Sequence, residues 1–212
     1  MKPYKKIELA GSSNIILRVT PGHYVTPNSH VNYYIDTTPM KTRVSEAKAV
    51  AAMMAGYHSY QTIVDTIVCL DGTEVIGAFL ADELTRAGVL NKNEHKTIYI
   101  VTPEITASGQ MVFRENIAPW VEGKHVLLLF SLATTGSSIL RALQTLNYYG
   151  AEITGISSIF STVDKIGGLP VHALFTQKDL PDYRCWNADT CPLCKEKAKV
   201  DGLWNGYGIT HL

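Results

Sequence analysis

The sequence carries no surplus of charge of either sign: 19 Lys and Arg stand against 19 Asp and Glu in 212 residues. Wrapping nucleic acid or lying on an anionic membrane calls for a basic excess, so neither is expected as a partner. No apolar run is long enough to cross a bilayer. The basic start, Met1-Lys2-Pro3-Tyr4-Lys5-Lys6, lacks the apolar stretch of a signal peptide behind it, and a cytoplasmic protein is expected. Cysteine is scarce, with only Cys69, Cys185, Cys191 and Cys194. Without an export signal these read as thiols or metal ligands rather than disulfides. Internal repeats and low-complexity tracts are missing too, which excludes solenoids and linker-like chains. Charged residues make up 18% and apolar residues 46%, a balance that excludes disorder and suits one core with at most a small appendage.

What is present is an alternation of strand and helix patterns. Residues 44–57, rich in Ala, Met and Lys, read as a helix. Strands are expected over 62–70, 97–101, 126–130, 153–159 and 171–175. Helices are expected over 74–87, stopped by Gly88, and 138–149, stopped by Gly150. Such alternation predicts a doubly wound, mostly parallel α/β sheet covered on both faces, whose ligands bind at the carboxyl ends of the strands. A single domain over 1–212 is expected, with an irregular 1–43 and a polar, cysteine-bearing 179–212 as cap or hood. Residues 102–123 hold Pro103, Ser108, Gly109 and Pro119 without periodicity, and a loop of that length is a functional lid or disordered.

The densest signal is Val126-Leu127-Leu128-Leu129-Phe130-Ser131-Leu132-Ala133-Thr134-Thr135-Gly136-Ser137-Ser138. A buried-strand pattern runs into a small, hydroxyl-rich turn that opens a helix. Unpaired N–H groups and the positive dipole end at such a helix start suit a phosphate. The plainer alternative is helix capping, since Ser and Thr are favoured N-caps and Gly permits the turn. It is not a Walker loop, for no Gly-Lys-Ser/Thr follows, nor a Gly-x-Gly-x-x-Gly dinucleotide fingerprint. Asp71-Gly72-Thr73-Glu74 sits at a second strand end. It reads equally as a strand-to-helix turn capped by Asp71 or Thr73 and as a diphosphate loop.

Thr134, Thr135, Gly136, Ser137 and Ser138 resemble the phosphoribosyl diphosphate (PRPP) signature of type I phosphoribosyltransferases, in the part that holds the 5′-phosphate. Leu132 and Ala133 match that signature's apolar pair, whereas its two acids are replaced by Phe130 and Ser131. The wider chain is similar to the orotate phosphoribosyltransferase branch. The likeness runs through Asn32-Tyr33-Tyr34-Ile35-Asp36, Asp65-Thr66-Ile67-Val68 to Ala81-Asp82-Glu83-Leu84, Ala151-Glu152-Ile153-Thr154-Gly155, Gly167-Gly168 and Cys191-Pro192-Leu193-Cys194. It implies a homodimeric enzyme that uses PRPP and Mg2+ to glycosylate a pyrimidine base, orotate. Asp71, Gly72, Thr73, Glu74 and Ser131 would face diphosphate and ribose. Tyr33 and Tyr34 would flank the base, although adjacent tyrosines are often packing residues. Lys165, beside Asp164, would pair the base carboxylate as a point charge without arginine's fork. The family's catalytic loop carries an Arg-Lys pair and further lysines, but Arg114 is the only basic residue of the matching loop, 102–120, before Lys124.

Cys185, Cys191 and Cys194 have a spacing that allows a zinc knuckle, with His211 the nearest fourth ligand in sequence. The alternative is free or packed thiols in the hood, and Cys69 reads as core. The seven histidines show no His-x-x-x-His spacing, and His125 and His172 read as core-edge residues. Two functions follow from the whole: phosphoribosyl transfer to orotate, or a sensor or accessory subunit that binds PRPP or a nucleotide 5′-phosphate without turnover. A zinc-dependent interaction protein built on the tail is a third.

Overall fold

The computed structural model describes residues 3–58 and 62–212, so Met1 and Lys2 of the basic start lie outside it. In chain order the elements are β1 (Lys5–Leu9), β2 (Ser12–Val25), β3 (His30–Asp36), α1 (Thr38–Thr42), α2 (Val44–Ala55), β4 (Thr66–Cys69) and α3 (Glu74–Arg86). There follow β5 (Tyr99–Val101), β6 (Glu104–Ile105), β7 (Met111–Val112), β8 (His125–Ala133), α4 (Ser137–Tyr148) and β9 (Glu152–Ser161). The chain ends with β10 (Lys165–Ile166), β11 (Leu169–Thr176), β12 (Cys185–Trp186), α5 (Pro192–Lys195), β13 (Gly202–Asn205) and β14 (Gly208–His211).

The central sheet runs β10-β11-β9-β8-β4-β5. Its five pairings are parallel except that of β10, which folds back antiparallel on β11. Strand β8 shows why both faces are covered. Its side chains alternate, so Leu127 and Leu129 join one buried cluster with α2 and α3, while Val126, Leu128 and Phe130 join another with α4. Helix α4 sends Ile139, Ala142 and Leu146 into that second cluster, each large side chain adding about 1.5–3 kcal/mol of burial. The sheet is doubly wound, as its sequence pattern predicts.

Both glycine stops act as expected. Gly150 holds φ +65°, its N–H reaches Asn147 O at 2.9 Å, and Ala151 N–H reaches Leu146 O at 3.0 Å. Gly88 (φ +77°) ends α3 with the same two bonds, to Thr85 and, through Val89, to Leu84. These are Schellman caps.

Two regions differ from expectation. The strand expected over 62–70 is regular only over β4, and beyond its ends the backbone makes single bonds, Val64 N–H to Leu90 O, Asp65 N–H to His125 O and Leu70 N–H to Leu129 O. The N-terminal segment, expected to be irregular, joins the tail in a six-stranded sheet, β12-β3-β2-β13-β14 with β1 on β2. Ile15, Leu17 and Val19 bury one face of β2 completely. A register shift between Pro21 and Tyr24 then bends the strand, as a proline and glycine in a ladder require. The segment 102–123 holds the β6–β7 hairpin and a 3-10 turn, Ala118–Trp120, and buries Phe113, Ala118 and Val121 in the core. No helix among the described residues is long and apolar enough to cross a membrane.

Candidate functional site

Beyond Ala133 the chain turns through Thr134, Thr135 and Gly136 directly into α4. Gly136 has φ +74°, and a Cβ there would lie 3.2 Å from Ile166 Cδ1, so the turn needs glycine both for its backbone and for its space. Gly136 is also the N-cap. Having no side chain, it leaves the helix start without a side-chain cap, and no acid occupies the first turn. Ser137 N–H makes one long bond, to Thr135 Oγ1 at 3.4 Å, and the positive dipole end of the helix has no acidic side chain beside it. Thr135 and Ser137 hydroxyls lie 3.1 Å apart. Thr162 Oγ1 donates to Thr134 O at 2.6 Å, anchoring the turn just beyond the end of β9. Thr134, Thr135, Gly136 and Ser138 line a cavity of about 340 Å³, while Ser137 does not.

The cavity floor comes from the neighbouring strand ends. Asp71 takes φ +58°, an uncommon conformation outside glycine. Ser131 Oγ donates to Asp71 Oδ2 at 3.4 Å, and both residues line the cavity. Phe130, one residue earlier, points into the α4-side core and is fully buried. Burial pushes the Asp71 carboxyl up, while Lys41 and the bonds from Ser131 oppose the rise. Lys41 itself is nearly buried, and its Nζ donates to Asp71 O at 2.6 Å and Gly206 O at 2.7 Å. Burial draws its pKa down against the attraction of Asp71, Glu74 and Asp36. Lys41 therefore ties the end of β4 to the C-terminal tail, a role that nothing around it in the sequence announces.

The rest of the Asp71 turn makes its contacts away from the cavity lining. Gly72 (φ +75°) completes the bend. Thr73 is buried, with its hydroxyl donating to Leu70 O at 2.8 Å and Leu129 O at 3.3 Å. Glu74 accepts from Thr102 Oγ1 at 3.1 Å. None of these three lines the cavity.

The walls come from four places. The 102–123 loop contributes Ile105, Gly109 and Met111. Its Arg114 is held by both oxygens of Glu104, at 2.6 and 2.7 Å. Helix α4 contributes Arg141, a cation the sequence reading missed although it lies just five residues past Gly136 on the same helix. The turn Thr26-Pro27-Asn28-Ser29, closed by Thr26 N–H to Ser29 O at 2.8 Å, forms a third wall. The tail brings Trp204, Asn205 and Gly206 as the fourth. Tyr33 and Tyr34 do not line the cavity. The Tyr34 ring meets Trp204 edge-on at 5.3 Å, and its hydroxyl donates to Asp36 Oδ1 at 3.3 Å. Lys165 is exposed on β10, also away from the cavity lining.

The cysteine trio is not assembled. Cys185 sits on β12 opposite Val31, half-buried against the core, with its thiol pushed up by burial. Cys191 and Cys194 do converge, but on His23 and His30 rather than on Cys185 or His211. A hairpin bulge brings those two histidines together, which is why a search for helical or knuckle spacings passes over them.

No family model matches the chain. The orotate phosphoribosyltransferase of Pyrococcus furiosus is 30% identical over 153 residues, covering 69% of this chain and 74% of that protein. The orotate phosphoribosyltransferase of Chlorobium phaeobacteroides strain BS1 is 26% identical over 200 residues, covering 92% of each. Among solved structures, the orotate phosphoribosyltransferase of Mycobacterium tuberculosis shares the fold with a TM-score of 0.50 at 17% identity, covering 77% of this chain and 92% of that one. A parallel sheet that delivers a glycine-turned, uncapped helix start to a polar cavity, in a chain with these relatives, belongs to the orotate phosphoribosyltransferase family.

Proposed function

We propose that the cavity binds PRPP, or a nucleoside 5′-monophosphate, with the 5′-phosphate seated on Thr134, Thr135, Gly136 and Ser138, and that its reaction is phosphoribosyl transfer to a pyrimidine base, orotate. The observation that carries this is the uncapped start of α4 opening into the cavity. Backbone N–H groups, hydroxyls and the helix dipole then hold a dianion without a lysine. The base would lie toward Trp204, the one aromatic side chain among the described cavity-lining residues.

Asp71 is the one carboxylate among those residues. Opposite a developing oxocarbenium charge it supplies the negative end, with Ser131 fixing one oxygen. Magnesium takes one or two carboxylates and otherwise binds substrate phosphates. Asp71 fits that role for an ion arriving with PRPP, and no more of the cavity is needed to hold it. When bound, the ion would neutralise diphosphate charge. The lid hairpin, by covering the cavity, would exclude water from the reacting carbon. A homodimer is part of this proposal.

One observation favours a second reading, binding without turnover. Phe130 is committed to the core, and Arg141 is the one cation among the described cavity-lining residues, since Arg114 is held by Glu104. A leaving diphosphate then has little positive charge to meet. A turnover assay with PRPP and a panel of bases decides. Orotidine 5′-monophosphate formation that Asp71→Asn abolishes supports transfer. Saturable PRPP binding with no product from any base supports the second reading.

A further inference from the structure

Away from the cavity, four metal-ligating atoms converge where the hairpin of β2 and β3 meets the tail. His23 Nε2 lies 3.0 Å from His30 Nδ1. Cys194 Sγ lies 3.2 Å from His30 Nδ1 and 3.6 Å from His23 Nε2, and Cys191 Sγ lies 3.7 Å from His23 Nε2. All four ligand atoms fall within 4.8 Å of one another. A tetrahedron with zinc–nitrogen bonds near 2.05 Å and zinc–sulfur bonds near 2.3 Å has edges of about 3.4 Å between nitrogens and about 3.6 Å between nitrogen and sulfur. The nitrogen–sulfur separations, 3.2 to 3.7 Å, bracket their edge, and the nitrogen–nitrogen separation of 3.0 Å is shorter than its own.

We propose that His23 Nε2, His30 Nδ1, Cys191 Sγ and Cys194 Sγ form a structural zinc site that staples the tail to the β2–β3 hairpin. The donor chemistry selects the metal. Two thiols and two imidazoles suit zinc, whereas magnesium and calcium take oxygen ligands, and no carboxylate belongs to the cluster. The outer contacts agree. His23 Nδ1 lies 3.1 Å from Ala198 O, so that nitrogen carries the proton and Nε2 presents its lone pair to the cluster, as metal-binding histidines do. His23 and Cys191 are buried, His30 is half-buried and Cys194 is exposed, which gives the metal a closed interior side and an entry path.

The site reaches the cavity through both of its neighbours. The wall turn Thr26–Ser29 is the loop between His23 and His30. His23 N–H donates to Asp201 Oδ2 at 2.9 Å, and Asp201 N–H donates back to His23 O at 2.7 Å. Strand β13 starts at the next residue, pairs with the end of β2 and carries Trp204 and Asn205 to the neighbouring wall. Zinc here fixes two of the four walls without touching a ligand.

The test is elemental analysis and native mass spectrometry of the full chain, expressed without a histidine tag, together with cobalt(II) exchange. One zinc per chain is expected, along with a cobalt derivative that shows strong tetrahedral d–d bands and thiolate charge transfer. Cys194→Ser should lose nearly all of the metal and the charge-transfer intensity should drop, while Cys185→Ser keeps both. Cys194 is exposed, so its variant is expected to fold, and the wild-type cobalt spectrum decides independently of it. Zinc well below one per chain with no tetrahedral cobalt spectrum overturns the proposal, as does full metal retention in Cys194→Ser. None of these readouts depends on PRPP.

Discussion

Replacing Lys41 with methionine isolates the link between the Asp71 turn and the tail. The methionine stem fills the same channel, so little packing is lost, but Asp71 O and Gly206 O both lose a donor, at 2.6 and 2.7 Å. A buried acceptor left without its bond costs about 1–3 kcal/mol. Two acceptors set the gross loss, and release of a desolvated ammonium offsets part of it, which leaves roughly 2 kcal/mol. For a chain of this size that lowers the melting temperature by about 4–8 °C. The pH dependence provides a second readout. Burial depresses the Lys41 pKa below 10.5, so the unfolded chain binds more protons between the depressed value and 10.5. Wild-type stability therefore gains through that window as pH rises, the variant does not, and the gap between them widens toward alkaline pH. Thermal melts followed by circular dichroism across that range give both quantities. A variant melting within about 1 °C of wild type, with a gap constant in pH, would refute the assignment of Lys41 as a buried tie.

Gly136→Ala forces an L-residue into φ +74° and brings its Cβ to 3.2 Å from Ile166 Cδ1. The backbone term alone costs about 1–2 kcal/mol, and chemical denaturation should show a loss of at least that size. His58 is held near a pKa of about 4 by burial and by the neighbouring His172. Its contribution to stability is therefore complete above about pH 6.5 and is lost as pH falls from there toward 4. Melts at pH 7 and pH 4.5 should show a larger acid loss for wild type than for His58→Gln, and equal losses would count against the burial of that ring.

How much of this was readable in advance depends on whether the signal is local. The strand, turn and helix start around Gly136 obey short-range rules of φ, capping and period, and the sequence displays them directly. Gly88 and Gly150 are legible for the same reason. The walls are not. Trp204 reaches the cavity because β13 pairs with β2, some 180 residues earlier in the chain, with Gly202 opposite Tyr24 and Leu203 opposite Val25. No local pattern encodes that register. Tyr33 and Tyr34 read as base-flanking residues, yet neither lines the cavity, and Trp204 stands against the Tyr34 ring. His23 and His30 join Cys191 and Cys194 across the bulge between Pro21 and Tyr24, where neither helical nor knuckle spacing applies. Phe130 was legible as a departure from the family signature, but only the alternation of β8 shows that its side chain belongs to the core and leaves Ser131 to face the cavity.

The central claim is that the turn 134–138 holds a 5′-phosphate, and calorimetric binding of PRPP to wild type and Gly136→Asp tests it most directly. The account predicts one saturable site per chain in wild type. At a hundredfold excess over Kd, binding should add about 2.7 kcal/mol of stability, or roughly 5–11 °C in melting temperature. Gly136→Asp places a carboxylate in the turn and should abolish both the heat and the shift while the folded spectrum persists. No PRPP binding by wild type, or equal binding by the folded variant, would contradict it.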